Sequence, residues 1–242
     1  MIHTIFAFFY VFLSAVVLTP IALVIHIICL FGLWRYRANF IYGVARLWAL
    51  LMIKISACDM TVTGRENIPP QGGICFVSNH GSIFDAALML AYLGRPFGFI
   101  AKKELIYIPL INLWIPMMGG FYIDRKNLRK GLKTINQGIS RIKAGGAMII
   151  FPEGRRSRGN GLLPFRSGAL KLATQAGAPI IPIAIKGSYE VFEKNSRLCP
   201  GPVMVSFGKP IHTADLSVEN RKQQLADRVY QVIDEALKAG AP

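Results

Sequence analysis

The sequence predicts an α/β fold, a largely parallel mixed sheet flanked by helices, with an N-terminal two-helix membrane element. Three observations predict it. From Asp59 onward, short apolar runs alternate with helical segments, the pattern of strands joined by crossover helices. Before that point, residues 5–34 form a nearly uncharged apolar run that water would not tolerate on an exposed surface. The residues suited to chemistry fall where predicted strands end, and open α/β sheets bind ligands there. The 242 residues suffice for one such domain with a sizeable core. The chain therefore divides into a membrane-associated element over residues 1–57 and an α/β domain over residues 58–242.

As a single helix, residues 5–34 would be roughly 45 Å long, against a hydrocarbon core of ~30 Å. Pro20 is expected to kink or divide that helix. Each half, about 20 Å long, would then suit one leaflet better than both. The run lacks a basic leading segment and a small-residue cleavage pattern, which argues against a signal peptide. Arg35 and Arg37 follow and belong on the cytoplasmic side. Residues 39–57 are again mostly apolar; Arg46 and Lys54 can snorkel, and Trp48 favours the interface. The expectation is a monotopic element on the cytoplasmic face of the inner membrane, with a single transmembrane span as the alternative.

Strands are expected at residues 59–63, 73–78, 97–101, 120–123, 147–151 and 180–185, with a seventh at 203–207. The run Ile74-Cys75-Phe76-Val77 shows no alternation, which marks a strand buried on both faces. Helices are expected at 86–93, 128–144 and 168–176, and residues 218–238 close the chain as an amphipathic helix. Pro182 lies inside the apolar strand Ile181-Pro182-Ile183-Ala184, which implies an edge strand or an irregularity beside a site.

The chain carries 28 Lys and Arg against 13 Asp and Glu, a formal net charge of +15, while charged residues make up only 17%. A chain both apolar and basic points to anionic membrane lipid and to anionic substrates. Nucleic acid is the competing partner for a basic protein, but the cations are spread along the chain and no nucleic-acid-binding motif is recognisable. The cysteines (Cys29, Cys58, Cys75, Cys199) form no CxxC pair and read as reduced and structural. The histidines (His3, His26, His80, His212) have no two at metal-ligand spacing, so neither a metal nor a cofactor is expected. His26 reads as a packing or interface residue.

The densest signal is Asn79-His80-Gly81-Ser82-Ile83-Phe84-Asp85, directly after the buried strand. Five residues on a regular helix place two side chains ~140° apart, so His80 and Asp85 cannot share a helical face. His80 must lie in the turn, with Asp85 reaching back from the helix; Gly81 permits the turn and Ser82 is a suitable N-cap. His80 is then placed as a general base, with Asp85 holding its tautomer and stabilising its charged form. A second reading uses the same residues: Ser82 to Asp85 fits a capping box, which would make Asp85 structural.

Two further blocks close strands. Gly119-Gly120-Phe121-Tyr122-Ile123-Asp124-Arg125 places an arginine just past a strand end, where it can grip a phosphate with two donors. The alternative is a surface arginine paired with Asp124. Phe151-Pro152-Glu153-Gly154-Arg155-Arg156-Ser157-Arg158 sets three arginines beside one acid. Glu153 neutralises only one of them, so an anion such as phosphate is the natural partner, and a solvated basic loop is the alternative.

Taken together, these blocks resemble the glycerolipid acyltransferases, and within them the bacterial 1-acyl-glycerol-3-phosphate acyltransferases. Asn-His-x-x-x-x-Asp resembles the first family motif, Gly120 to Arg125 the second, Phe151-Pro152-Glu153-Gly154 with Arg156-Ser157 the third, and Ile181-Pro182-Ile183 the fourth. Ala101-Lys102-Lys103-Glu104-Leu105 is similar to a stretch common between the first two. The third motif usually has threonine where this chain has Arg155. The resemblance implies transfer of an acyl group from acyl-CoA or acyl carrier protein to the sn-2 hydroxyl of lysophosphatidate, giving phosphatidate. It implies His80 and Asp85 as the catalytic pair. Arg125 and Arg156 would hold the acceptor phosphate with Lys102 assisting, Glu153 would position the glycerol hydroxyl or an arginine, and Gly154 would bring backbone close. Other acceptors (glycerol 3-phosphate, another lysophospholipid, a lyso-aminolipid) remain open within the same chemistry. A non-catalytic lipid-binding protein is the reading from a different class.

Overall fold

The computed structural model describes residues 2–30, 34–166, 168–213 and 221–240. Among these, seven strands form one sheet: β1 (Asp59–Thr63), β2 (Ile74–Ser78), β3 (Phe97–Lys102), β4 (Phe121–Ile123), β5 (Ala147–Ile150), β6 (Ile180–Lys186) and β7 (Pro202–Phe207). Their order across the sheet is β1-β7-β6-β2-β5-β3-β4. Strands β6, β2, β5, β3 and β4 are parallel, so their C-terminal ends share one edge. Strand β7 runs antiparallel to β6 and parallel to β1. The sheet is thus mixed and mostly parallel, as the alternating pattern predicts.

The helices are α1 (Ile2–Leu30), α2 (Trp34–Ser56), α3 (Asp85–Tyr92), α4 (Ile111–Met117), α5 (Leu128–Lys143), α6 (Lys171–Ala176), α7 (Ser188–Val191) and α8 (Arg221–Ala239). They cover both faces, and the pleat of β2 shows how. Ile74 and Phe76 pack with Leu88 and Met89 of α3 and Ile41 and Ala45 of α2. Cys75 and Val77 face the other way, into Ile142 of α5, Leu172 of α6 and Leu225 and Val229 of α8. Every residue of β2 is buried, which is why its sequence lacks alternation. Each fully buried side chain of Phe76 or Leu88 size contributes about 1.5–3 kcal/mol over leaving it exposed.

The core does not stop at the sheet. Ile41, Tyr42, Ala45, Ala49 and Ile53 of α2 are buried in the same cluster as Phe97 and Ile149. Helix α1 packs on α2 through Tyr10 and Trp48: the Tyr10 hydroxyl donates to the Trp48 carbonyl at 3.0 Å, and Trp48 Nε1 donates to Ser14 Oγ at 2.9 Å. Its other face leaves Phe8, Phe9, Phe12, Val16 and Val24 exposed. By length and composition, Thr4–Ile28 and Tyr36–Ser56 are each apolar enough to cross a membrane.

Several expectations need correction. Helix α1 runs without interruption through Pro20, so the expected division does not occur. One proline forfeits one hydrogen bond of a long helix, and contacts hold the flanks: Trp114 Nε1 of α4 donates to Thr19 Oγ1 at 3.0 Å, and Ala22 is buried. Pro182 sits on an interior strand rather than an edge. The irregularity is present instead in the β6–β7 pairing. Three residues separate Ile180 from Ile183, whereas four separate their partners Ile211 and Phe207. This one-residue bulge relieves β6 of a ladder bond at Pro182. Helices α4 and α7 were not anticipated. Of the closing helix, residues 218–220 lie outside the described residues, and α8 continues to Ala239.

Candidate active site

The C-terminal ends of the parallel strands bring the motif residues together. His80 follows β2 in a turn outside any helix, and Asp85 opens α3. The reach-back demanded by the helical geometry is made: His80 Nδ1 lies 2.8 Å from Asp85 Oδ2. The same oxygen accepts the backbone N–H groups of Gly81 at 2.8 Å and Ser82 at 3.0 Å. Ser82 Oγ in turn accepts the N–H of Phe84 at 3.1 Å. The capping and general-base readings of the sequence are therefore not rivals. One carboxylate oxygen ties down the turn that leads into α3 and contacts the imidazole at once.

Asp85 is fully buried, 0% exposed, and its Oδ1 has no partner among the described residues. With Nδ1 donating to the carboxylate, the neutral ring presents an unprotonated Nε2, for which no partner occurs among the described residues. The ring stacks on Phe151 with centroids 4.1 Å apart and planes at 20°. Asn79 sits behind it. Its side-chain amide donates to the Ile185 carbonyl and accepts the Ile185 N–H, each at 2.8 Å. It acts as one more peptide unit extending the β2–β6 pairing to the edge of the site.

The loop after β5 locks onto this turn. Glu153 Oε1 accepts the His80 N–H at 2.6 Å and its Oε2 accepts the Leu163 N–H at 3.1 Å. The Ser157 N–H donates to the His80 carbonyl at 2.7 Å. Burial pushes the Glu153 carboxyl up to about 6, only partly offset by the His80 and Leu163 N–H groups. Gly154 has φ +71°, and a Cβ there would lie 2.4 Å from Arg166 Nε. Both facts require glycine. The Gly154 carbonyl accepts a hydrogen bond from Arg125 Nη1. Arg125 and Arg166 thus converge on Gly154, one residue from the carboxylate that holds His80. Burial, and then the neighbouring Arg166 cation, pull Arg125 below the usual arginine range. The Glu104 carboxylate offsets this only in part, so the two guanidinium groups leave positive charge that suits an anion.

The other basic candidates stand differently. Arg156 Nη1 pairs with Glu193 Oε1, and Glu193 Oε2 accepts the Ile83 N–H at 3.1 Å. Arg156 therefore braces the His80 turn against the segment after α7. Lys102 is half-exposed, 3.6 Å from Glu104, and Lys103 pairs with Asp124 at 2.8 Å. Asp124 is occupied by Lys103 and leaves Arg125 free of it. Sequence reasoning missed Arg166, Glu193 and Phe151. Nothing local marks Arg166, because its role depends on a loop folding over Gly154. Glu193 had a usable signal, since an acid is scarce in so basic a chain.

The family model described as Acyltransferase matches residues 59–186. A chloroplastic 1-acyl-sn-glycerol-3-phosphate acyltransferase of Brassica napus is 33% identical over 225 residues, 90% of this chain and 64% of that protein. The 1-acyl-sn-glycerol-3-phosphate acyltransferase of Escherichia coli is 29% identical over 84% of this chain and 80% of its own length. The crystal structure of the 1-acyl-sn-glycerophosphate acyltransferase of Thermotoga maritima superposes with a TM-score of 0.83 at 25% identity, covering 98% of this chain and 96% of that one. The match spans less than two thirds of the length of most of these curated relatives, 55% of one from Arabidopsis thaliana and 56% of one from Borreliella burgdorferi.

Proposed function

Since this chain belongs to the acyltransferase family, we propose that it transfers a fatty acyl group from acyl-CoA or acyl carrier protein to the sn-2 hydroxyl of 1-acyl-glycerol 3-phosphate, giving phosphatidate. The observation that carries this is the 2.8 Å His80–Asp85 contact beside the converging Arg125 and Arg166. His80 Nε2 takes the acceptor's hydroxyl proton as that oxygen bonds to the thioester carbonyl carbon. The carbon–sulfur bond then breaks, and the imidazolium returns the proton to the leaving thiolate. Asp85 stabilises the imidazolium between these events. The lipid hydroxyl is the nucleophile, so no serine or cysteine of the protein is needed.

Arg125 is assigned to the acceptor phosphate, with Arg166 adding a second cation and Lys102 at the rim. Arg156 joins them only by leaving Glu193. Glu153 and Gly154 fix the floor on which His80 and Arg125 are set. The element over residues 1–57 holds the site at the membrane, and we place it flat against the cytoplasmic face. Two contacts support that placement. Thr4 Oγ1 accepts the Leu198 N–H at 3.0 Å, and Thr19 is bonded to Trp114. Fifteen residues of α1, roughly 22 Å of helix, are thus tied to the same domain. Two ties to one domain over that length support a helix lying along the surface.

Acyl transfer by detergent-purified protein, offered lysophosphatidate, glycerol 3-phosphate and lysophosphatidylcholine with both donors, tests this. Turnover confined to lysophosphatidate and abolished in a folded His80→Ala variant is expected. A His80→Ala variant retaining more than a tenth of the activity rejects the general-base role; turnover with another acceptor changes the substrate and keeps the mechanism.

A further inference from the structure

Helix α5 stands apart from the site and is unusual in composition. Its sixteen residues carry Arg129, Lys130, Lys133, Arg141 and Lys143 and no acid. Against edge strand β4 it forms an open groove of about 830 Å³, lined by Phe121, Arg129, Leu132, Lys133, Asn136 and Arg141 among others. The usual explanation for such a helix is a solvated polar face, yet two features oppose it. Leu128 is 80% exposed and Leu132 follows it one turn later, also exposed. Across β4, the segment before and within α4 exposes Tyr107 (80%), Ile108, Ile111 and Leu113. Water alone does not favour so much apolar surface beside so many cations.

We propose that this edge, the β4–α5 groove with its apolar rim, is a second membrane-facing surface that binds the headgroup of an anionic phospholipid. Its position supports that occupant. Arg141 donates to the Met118 carbonyl at the end of α4, and α4 is bonded to α1 through Trp114 and Thr19. Arg37, at the start of α2, lies close enough to Arg141 to repel it electrostatically. The Arg141 end of the groove therefore lies near the start of α2. Two acids flanking β4 in sequence or space, Glu104 and Asp124, are paired with Lys102 and Lys103. A cationic helix face flanked by apolar side chains is the pattern of an interfacial helix on an anionic bilayer. The inference uses the membrane-bound reading for orientation only.

The test is energy transfer from the protein's tryptophans to dansyl-labelled phosphatidylglycerol titrated into uncharged detergent micelles holding the full chain. Arg129 and Lys133 are exposed and play no part in the proposed chemistry. Arg129→Gln with Lys133→Gln is expected to raise the half-saturating mole fraction about 25-fold, about five-fold per charge. Lys194→Gln with Lys209→Gln removes the same charge elsewhere and is expected to change it little. No rise in the first pair, or an equal rise in both, overturns the site. Binding is read without turnover, so failure of the acyltransferase reading would leave this result intact.

Discussion

Replacing Asp85 with asparagine isolates the charge of the proposed catalytic carboxylate from its shape. The side chain is fully buried, and its Oδ2 serves His80, Gly81 and Ser82 at 2.8–3.0 Å. Asparagine keeps the size and an acceptor oxygen but withdraws the negative charge. An imidazolium about 4 Å from a carboxylate gains ~4 kcal/mol at an effective dielectric near 20. At ~1.4 kcal/mol per tenfold in rate, Asp85→Asn is expected to lower kcat about 10³-fold. Neither Michaelis constant should move much, because Asp85 meets neither substrate. Asp85→Ala differs in kind. It strands two backbone N–H groups, at roughly 1–3 kcal/mol each, and opens a cavity, so it is expected to lower Tm as well. The assay is thiol release from the acyl thioester, read with a chromogenic disulfide, alongside thermal unfolding of all three proteins. An Asp85→Asn enzyme retaining more than a tenth of wild-type kcat would refute the electrostatic role. A fall in Tm as large as that of Asp85→Ala would assign the lost activity to structure instead.

Other consequences are equally open to measurement. Arg125→Gln is expected to raise the acceptor's apparent KM about 10- to 100-fold, the worth of a charge-assisted phosphate contact, while leaving the donor's KM unchanged; a large kcat loss at constant KM would argue against phosphate binding there. Asn79→Ala removes two buried hydrogen bonds to Ile185 and should cost about 2–4 kcal/mol in urea unfolding; an unchanged midpoint would show that the sheet end does not need it. Glu153 accepts its two N–H groups most strongly when ionised, and burial pushes it up to about 6, so kcat/KM should fall below about pH 6, and Glu153→Gln should flatten that limb. Because its folded value lies above the ordinary carboxylate range, the folded chain takes up this proton first as pH falls. The stability of wild type relative to Glu153→Gln should therefore rise from pH 7 to pH 5; a constant difference would show that the group is not perturbed.

Much of this was legible in the sequence, for identifiable reasons. Buried parallel strands need apolar cover on both sides, so Ile74 to Val77 declare themselves. The His80–Asp85 relation followed from helix geometry alone, since five residues cannot share a face but a turn can fold back. What the sequence could not show depends on long-range packing. Arg166 reaches the site only because its loop folds over Gly154. Glu193 reaches it only because the segment after α7 returns to Ile83. The continuity of α1 through Pro20 rests on Thr19 meeting Trp114, ninety-five residues away. Of the two readings of Pro182, the irregularity holds and the edge does not, for the same reason. A proline argues for an edge only if the neighbouring strand keeps its register, and here the partner bulges.

The same long-range contacts explain how a lipid hydroxyl could meet a base held in a water-facing loop. Thr4, near the start of the apolar helix, is bonded to Leu198. Cys199, the next residue, is bonded through its N–H to the Val191 carbonyl, and Glu193 lies two residues beyond Val191. Glu193 holds the Ile83 N–H, three residues from His80. One short segment thus links the lipid-facing helix to the catalytic turn, with Ile83 itself 53% exposed beside the histidine. Beyond His80, through Glu153 and Gly154, lies Arg125. An amphiphile with one acyl chain and a phosphate has that same order of groups. Chain, hydroxyl and phosphate would meet α1, His80 and Arg125 in turn. Under the proposed function the membrane element and the catalytic turn would form one device, and the depth of α1 in the bilayer would set where the hydroxyl meets its base.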